Sequence, residues 1–316
     1  AKRRREERSM KRVGIIRGRE DSFPNAIIER INSLNKGVKA EFVMLGGTTM
    51  NEPNPYRVIL DRLSHEVPYY SSYLKAAVIQ GTYVINDPFW VASDDKFFGY
   101  SMAEKIGMKV PKTVLLPSVE FVDDVTPGSL RNLWPVDLEA RLEEIGCPCF
   151  LKPAYGGGWK MVNKIHNLDE LRYHYSRCGQ ETMVLQEGIE WDDYVRCICI
   201  GQKYARPIEY LPAPHGMGEY VQDRTRLDPK IAEKAAQATL LFTRALNYDM
   251  NALEYAVKDG ELYGIDLTNH ICDMDEKSLK EAHFDWAVTS MTNFIMSIIE
   301  EDRPPRYPQN AEKYIK

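Results

Sequence analysis

No stretch of this 316-residue chain approaches the ~18 consecutive apolar residues that a membrane-spanning helix needs. No apolar run opens it either, so the expectation is a soluble, cytoplasmic protein with no membrane partner. The six cysteines, Cys147, Cys149, Cys178, Cys197, Cys199 and Cys272, include no C-x-x-C pair. Their i, i+2 spacings suit neither a zinc knuckle nor a redox motif, which leaves reduced, structural thiols. Internal repeats and low-complexity segments are absent. Excess positive charge is missing too, since 41 Lys and Arg face 46 Asp and Glu for a net −5. Lys2, Arg3, Arg4, Arg5 and Arg8 share residues 1–9 with Glu6 and Glu7, so this segment is +3 and everything after it −8. A folded part that acidic argues against a nucleic-acid partner. Residues 1–9 read as a basic disordered tail ahead of the apolar pattern that begins at Met10.

What is present is globular. Hydrophobic residues make up 44% and charged residues 28%, which excludes wholesale disorder and a collagen-like chain. At roughly 100–200 residues per domain, the length suits two or three domains or subdomains. Strand patterns at Val13–Ile16, Phe42–Leu45, Val58–Leu60 and Gly81–Ile85 alternate with helical ones at Ala26–Asn32 and Tyr69–Gln80. That alternation predicts an open parallel α/β sheet, with functional groups where its strands end, at Arg17, Arg19 and Arg62. A helix over 95–107 follows, with Ser93-Asp94 as its cap. From about 113 the pattern changes. Strands are expected at Thr113–Leu116, Cys149–Lys152, Met161–Ile165, Met183–Gln186 and Tyr194–Ile200. Helices are expected at Val136–Ile145, 168–176, Asp228–Leu246 and 279–301, with a hairpin of Ala252–Val257 and Leu262–Thr268 before the last.

Three segments bear chemistry. Gly156-Gly157-Gly158 lies between two strands, where glycines let backbone N–H groups approach phosphate oxygens. It is neither a Walker A loop nor a Rossmann fingerprint; alone, such a run is more often a hairpin turn. Lys152, apolar-flanked just before it, needs a partner such as a phosphate or carboxylate. In the hairpin, Glu254 and Asp266 interrupt two apolar strands. A two-residue loop at Asp259-Gly260 sets Glu254 against Ile265 and puts Asp266 on the opposite face. A three-residue loop, Lys258-Asp259-Gly260, makes the two carboxylates diagonal neighbours on one face, and this odd loop is the expectation. Such a pair suits Mg²⁺ completed by nucleotide phosphates; two strand residues pointing at solvent is the plainer reading. Arg196 shares a strand face with Ile198 and Ile200, consistent with a buried salt bridge or with a group that steadies a transferring phosphoryl.

In this order the segments resemble the ATP-grasp superfamily, most nearly glutathione synthetase and the ribosomal-protein glutamate ligases. Val84-Ile-Asn-Asp-Pro through Lys96 is similar to the segment whose lysine reaches nucleotide phosphate. Phe150-Leu-Lys152-Pro with Gly156–Gly158 is similar to the lysine strand and the phosphate-covering loop. Leu185-Gln186-Glu187-Gly188-Ile189 resembles the hinge against adenine, and Asp193-Tyr-Val-Arg196 the acid and arginine after it. Glu254, Asp266 and Asn269 match the metal-binding acids and asparagine. The likeness spans about residues 84–275.

This resemblance implies an N-terminal α/β domain over 10–112, a small lobe over 113–184 with the glycine loop, and a C-terminal lobe over 185–316 with the metal hairpin. It implies ATP and Mg²⁺ as cofactors, and an ADP-forming ligase that joins a small-molecule carboxylate to an amine such as an amino acid or peptide. A catalytically inactive ATP-binding regulatory or scaffold protein is the other reading, and a homo-oligomer is compatible with either. The sequence departs from the family pattern in three places. Asp266 precedes Asn269 by three residues rather than two, so strand alternation puts Thr268 on the Asp266 face unless a bulge intervenes. The acid before Arg196 is one residue further off, which leaves Glu190, Asp192 or Asp193 as ribose partner. His270 stands where proline is common. Arg17, Arg19, Arg62, Arg206, His215, Arg224 and Arg226 are candidates for a substrate carboxylate, and the Gly- and Pro-rich stretch 210–226 reads as a loop suited to close over substrate.

Overall fold

The computed structural model describes residues 10–126, 128–133, 136–157, 160–213, 218–223, 226–308 and 310–314. The tail 1–9, Gly158, His215 and Arg224 lie outside them.

Alternation of buried residues builds the first layer. Strands β1 (Lys11–Ile16), β2 (Val38–Phe42), β3 (Val58–Asp61) and β4 (Tyr83–Ile85) form a parallel sheet in the order β2-β1-β3-β4. Val13, Ile15, Val58 and Leu60 pack on one face with Phe23, Ile27 and Ile31 of helix α1 (Ser22–Ser33). Ile16, Ile59 and Val84 pack on the other with Leu74, Ala77 and Val78 of α2 (Pro68–Ile79). This period-2 division between two helical layers is what a doubly covered sheet requires. The expectation for β2 needs correction. The strand is Val38–Phe42, whose alternation buries Val38 and Ala40, whereas the apolar run beyond it leaves the sheet and Met44 is exposed.

A short helix α3 (Pro88–Val91) leads to α4 (Lys96–Lys105). Asp95 caps α4, accepting from the Phe98 amide at 2.8 Å, so the cap lies one residue beyond the expected Ser93-Asp94. The second sheet is antiparallel, ordered β5-β8-β6-β7, from β5 (Thr113–Leu116), β6 (Cys149–Pro153), β7 (Asn163–Ile165) and β8 (Met183–Glu187). Helices α5 (Leu138–Ile145) and α6 (Leu168–Tyr175) cover it through Leu142, Ile145, Leu171 and Tyr175.

The third sheet is antiparallel and ordered β11-β10-β9-β12-β13. Its strands are β9 (Asp193–Ile200), β10 (Tyr204–Leu211), β11 (Glu219–Tyr220), β12 (Met250–Lys258) and β13 (Glu261–Asp266). Strand β10 and the 210–211/219–220 pairing replace part of the loop expected over 210–226. Helix α7 (Pro229–Ala245) covers one face. Helix α8 (Glu276–Glu300), broken at Lys280, covers the other, and its Val288, Met291 and Ile295 join the cluster that contains Val13 and Ile27. The parallel layer and the third sheet therefore share one core. Two buried polar seams fix their register. Asn86 reads the backbone of Asp249, Met250 and His270 with both ends of its amide. Arg62 pairs with Glu20 and donates to the Cys272 carbonyl at 2.6 Å, while Glu20 also accepts from the Met274 amide.

All six thiols are unpaired, and only Cys147 is exposed. Among the described residues no helix is long and apolar enough to cross a membrane. The loop after β1 passes so close to β3 that a Cβ on Gly18 would overlap the Arg62 carbonyl oxygen. Gly18→Ala should therefore lower stability by about 2 kcal/mol in urea unfolding, while Gly46→Ala, with open space around it, should stay within about 0.5 kcal/mol of wild type.

Candidate active site

The site begins with a register. Arg196 on β9 stands opposite Glu254 on β12, and Glu254 stands opposite Asp266 on β13, so three charged side chains form one row across three strands. The reason differs from the one expected. The hairpin loop has two residues, not three: Lys258 pairs with Glu261, and Asp259 (φ 52°) and Gly260 (φ 74°) make the primed turn that suits a tight hairpin. Uninterrupted pairing would set Glu254 against Ile265. Instead the register shifts after the Tyr255–Gly264 pair, leaving Ile265 as the extra residue of a β-bulge and bringing Asp266 round to Glu254. Gly264 makes room for the bend, since a Cβ there would meet Leu267 at 2.6 Å.

Glu254 accepts from the Tyr194 hydroxyl at 2.9 Å and lies 3.5 Å from the Arg196 guanidinium. Burial pushes its carboxyl above the ordinary range; Arg196 opposes this and the Asp266 charge adds to it. Asp266 Oδ1 is buried with no hydrogen-bond partner, and so is Arg196 Nε. The Arg196 guanidinium lies over Tyr210 and Tyr220, 5.4 and 5.6 Å from their ring centres. Arg196 is thus ion-paired, but the pair is long and leaves one nitrogen uncommitted. Among the described residues no group of three or more His, Cys, Asp or Glu side chains is placed to hold a metal. Two facing carboxylates with an orphaned oxygen fit a hard cation that takes its remaining ligands from phosphate.

Lys152 reaches this row from the second sheet. Its ammonium is buried and donates to Tyr100 Oη at 2.7 Å, Gln186 Oε1 at 2.8 Å and the Ile265 carbonyl at 3.3 Å. Gln186, buried on β8, also donates to Thr113 Oγ1. Burial pulls the Lys152 ammonium down to about 8, with the Asp266 and Glu254 charges acting against that fall. At the start of α4, the Lys96 amide donates to the Ala154 carbonyl at 2.9 Å and its ammonium to the Gly156 carbonyl. Gly156 takes φ 80°, and nothing lies within 4 Å of a Cβ on Gly157.

In the segment that follows β8, Glu187 accepts from the Lys112 amide at 3.1 Å. Gly188 donates to the Pro148 carbonyl at 3.1 Å, and a Cβ there would meet that oxygen at 2.5 Å. Ile189 packs on the shared core. Of the three ribose-partner candidates, Asp192 accepts from the Asp259 amide at 3.1 Å and so belongs to the hairpin turn, while Glu190 and Asp193 are exposed. At the far end of β13, buried Asn251 accepts from the Asn269 amide and donates to the Leu267 carbonyl, and the Asn269 carbonyl accepts from Ala252. Thr268 lies instead beside Asp94, whose carboxyl burial pushes up.

The substrate-arginine candidates are not gathered at this row. Arg17 pairs with Asp21, Arg19 with Glu66, and Arg226 with Glu209. Arg62 is locked in its seam, and Arg206 donates to His283 on α8 at 2.9 Å. Sequence reasoning missed Tyr100, Tyr194, Thr113 and Asn251. Tyr194 was within reach, because it stands two residues before Arg196 on the same strand face; Tyr100 sits in an ordinary helix pattern that carries no local signal.

Three solved structures share this architecture. D-alanine–D-alanine ligase from Bacillus anthracis, complexed with ATP, superposes with a TM-score of 0.63 at 16% identity, covering 92% of this chain and 96% of that one. The VanG D-Ala:D-Ser ligase from Enterococcus faecalis gives 0.64 at 13% identity, covering 92% and 99%. A RimK domain protein ATP-grasp from Sphaerobacter thermophilus gives 0.61 at 16% identity, covering 90% and 99%. The chain has the ATP-grasp fold. Sequence comparison finds no matching family model and no matching curated protein.

The depressed Lys152 ammonium sets a pH test of the ATP-grasp core. Between about 8 and the ordinary lysine value of 10.5, the folded chain holds fewer protons than the unfolded one. The stability of wild type relative to Lys152→Met should therefore be flat below that window and rise through it with pH, by roughly 1.4 kcal/mol per unit. Parallel pH curves for the two proteins would contradict the burial of a charged lysine.

Proposed function

We propose that this protein is an ATP-dependent, ADP-forming ligase that activates a substrate carboxylate as an acylphosphate and joins it to an amine. The observation that carries this reading is the row Arg196–Glu254–Asp266, with a buried unpartnered oxygen on Asp266 and an uncommitted Nε on Arg196. Structures of like fold named as D-alanine ligases support amino-acid-like carboxylate and amine substrates.

In this reading the phosphates of ATP lie against Lys152 and Lys96, whose ammonium groups offset charge on the β- and γ-oxygens. Gly156 and Gly157 cover them with backbone N–H groups. The backbone of Gln186, Glu187, Gly188 and Ile189 faces adenine, and Asp193 takes the ribose. Glu254, Asp266 and Asn269 are the residues that would hold Mg²⁺, which would supply positive charge against the phosphate oxygens. Arg196, kept charged and lying over the rings of Tyr210 and Tyr220, directs Nε at the transferring phosphoryl group and then at the acylphosphate. The γ-phosphoryl passes to a carboxylate oxygen, ADP leaves, and the amine displaces phosphate to form the amide. No protein nucleophile takes part, because charge placement and alignment supply the rate.

The test is the nucleotide product, with ATP and Mg²⁺ incubated with pooled carboxylates, with and without pooled amines. ADP and phosphate that depend on both pools are expected. AMP and pyrophosphate would overturn the acylphosphate route, and ATP binding without turnover would favour a non-catalytic protein of this fold. Asp266→Asn should cut turnover by about 100-fold or more with unchanged thermal unfolding; full turnover in that variant would remove Asp266 from the site.

A further inference from the structure

Leu267 and Thr268 separate Asp266 from Asn269, whereas on the facing strand only Leu253 separates Glu254 from Ala252. Glu254 stands opposite Asp266, so unbroken pairing would set Ala252 against Thr268 and turn Asn269 to the other face. The backbone bonds differently. The Ala252 amide donates to the Asn269 carbonyl at 3.1 Å, which makes Asn269 the partner of Ala252. Ala252 and Glu254 are two residues apart on one strand and share a face, so Asn269 is brought to the face that also carries Asp266. Thr268, the residue in excess, lies beside Asp94. Strand β13 has ended at Asp266, and a side chain holds this second irregularity. Buried Asn251 donates through Nδ2 to the Leu267 carbonyl at 2.9 Å and accepts at Oδ1 from the Asn269 amide at 2.8 Å. These two groups flank Thr268. A carboxamide offers the same donor and acceptor as a peptide group, so Asn251 stands in for a neighbouring strand's backbone where the extra residue has broken the register.

Resting on the metal role proposed above for Asn269, we infer that Asn251 is a positioning residue whose carboxamide absorbs Thr268 and sets Asn269 on the Glu254–Asp266 face as the third side chain toward Mg²⁺. This accounts for the spacing of three between Asp266 and Asn269 where the ATP-grasp pattern has two. Alanine at position 251 removes both bonds. Residues 267–269 then fall back into regular pairing, which sets Thr268 opposite Ala252 in place of Asn269.

The test is a calorimetric double-mutant cycle. Affinity for the β,γ-imido analogue of ATP is measured with Mn²⁺ and again with EDTA, and the ratio of the two is the gain that metal brings. Asn269→Ala and Asn251→Ala should each cut that gain about tenfold, with the EDTA affinity within about twofold of wild type. When Asn269 is already alanine, Asn251→Ala should cut the gain less than about twofold further. Equal cuts in both backgrounds would mean that Asn251 only supports the end of the hairpin, and would overturn the inference. An undiminished gain in either single variant, or a fall confined to the EDTA affinity, would overturn it too. Should Asn251→Ala not fold, Asn251→Leu, apolar like the buried Leu253 and Leu267, takes its place in the cycle. Asp266→Asn separates this inference from the functional reading. An undiminished gain in that variant, or no gain in wild type, would fell the reading and the inference with it. A gain lost in Asp266→Asn but intact in Asn269→Ala would fell the inference alone.

Discussion

A two-residue turn at Asp259-Gly260 imposes strict alternation on the hairpin it joins, and under that alternation Glu254 and Asp266 face opposite ways. The single extra residue at Ile265 reverses the parity beyond it and sets the two carboxylates opposite one another. The same bulge presents a carbonyl that receives Tyr100 from α4 and Lys152 from β6. One backbone irregularity thus brings together the acidic pair, the lysine strand of the second sheet and the helix that precedes it. Gly264 belongs to this arrangement, since a Cβ there would overlap the Leu267 Cδ2 methyl as it is placed beneath the bend.

The rest of the molecule holds that junction in place. The third sheet and the parallel layer share a core through α8, and the Arg62–Glu20 and Asn86 seams make their relation specific by pairing every backbone group they touch. The second sheet has its own core under α5 and α6. It meets the junction through polar contacts at Lys152, Gln186 and the Lys96–Gly156 link. Burial there is costly to a charged group, as the upward shift at Glu254 and the downward shift at Lys152 record. Each charge lowers that cost for its opposite.

Much of this was legible in the sequence. The Thr113–Leu116 strand was read at its actual limits, and the alternation of strand and helix in the first 85 residues disclosed the parallel sheet. Lys152, Glu254 and Asp266 stood out because charged residues inside apolar strands need partners. The shared face of the two acids was expected, but through a three-residue loop; a bulge leaves no mark in the pattern when the bulged residue is an ordinary isoleucine. Strand β10 was missed because Tyr204–Leu211 mixes polar residues with Pro207, and a proline inside a run argues against a strand. Pro207 is tolerated because β11 pairs with β10 only at Tyr210 and Leu211, which leaves its outer edge open at the proline. Tyr100 was illegible, since its role depends on a carbonyl 165 residues away.

The most direct test of this account is a crystal structure with Mn²⁺ and a non-hydrolysable ATP analogue, read by anomalous scattering. The account predicts a manganese peak between the Glu254 and Asp266 carboxylates, in contact with the analogue's phosphates and beside Arg196. Manganese held by other side chains, or phosphates lying away from the Arg196–Glu254–Asp266 row, would contradict it.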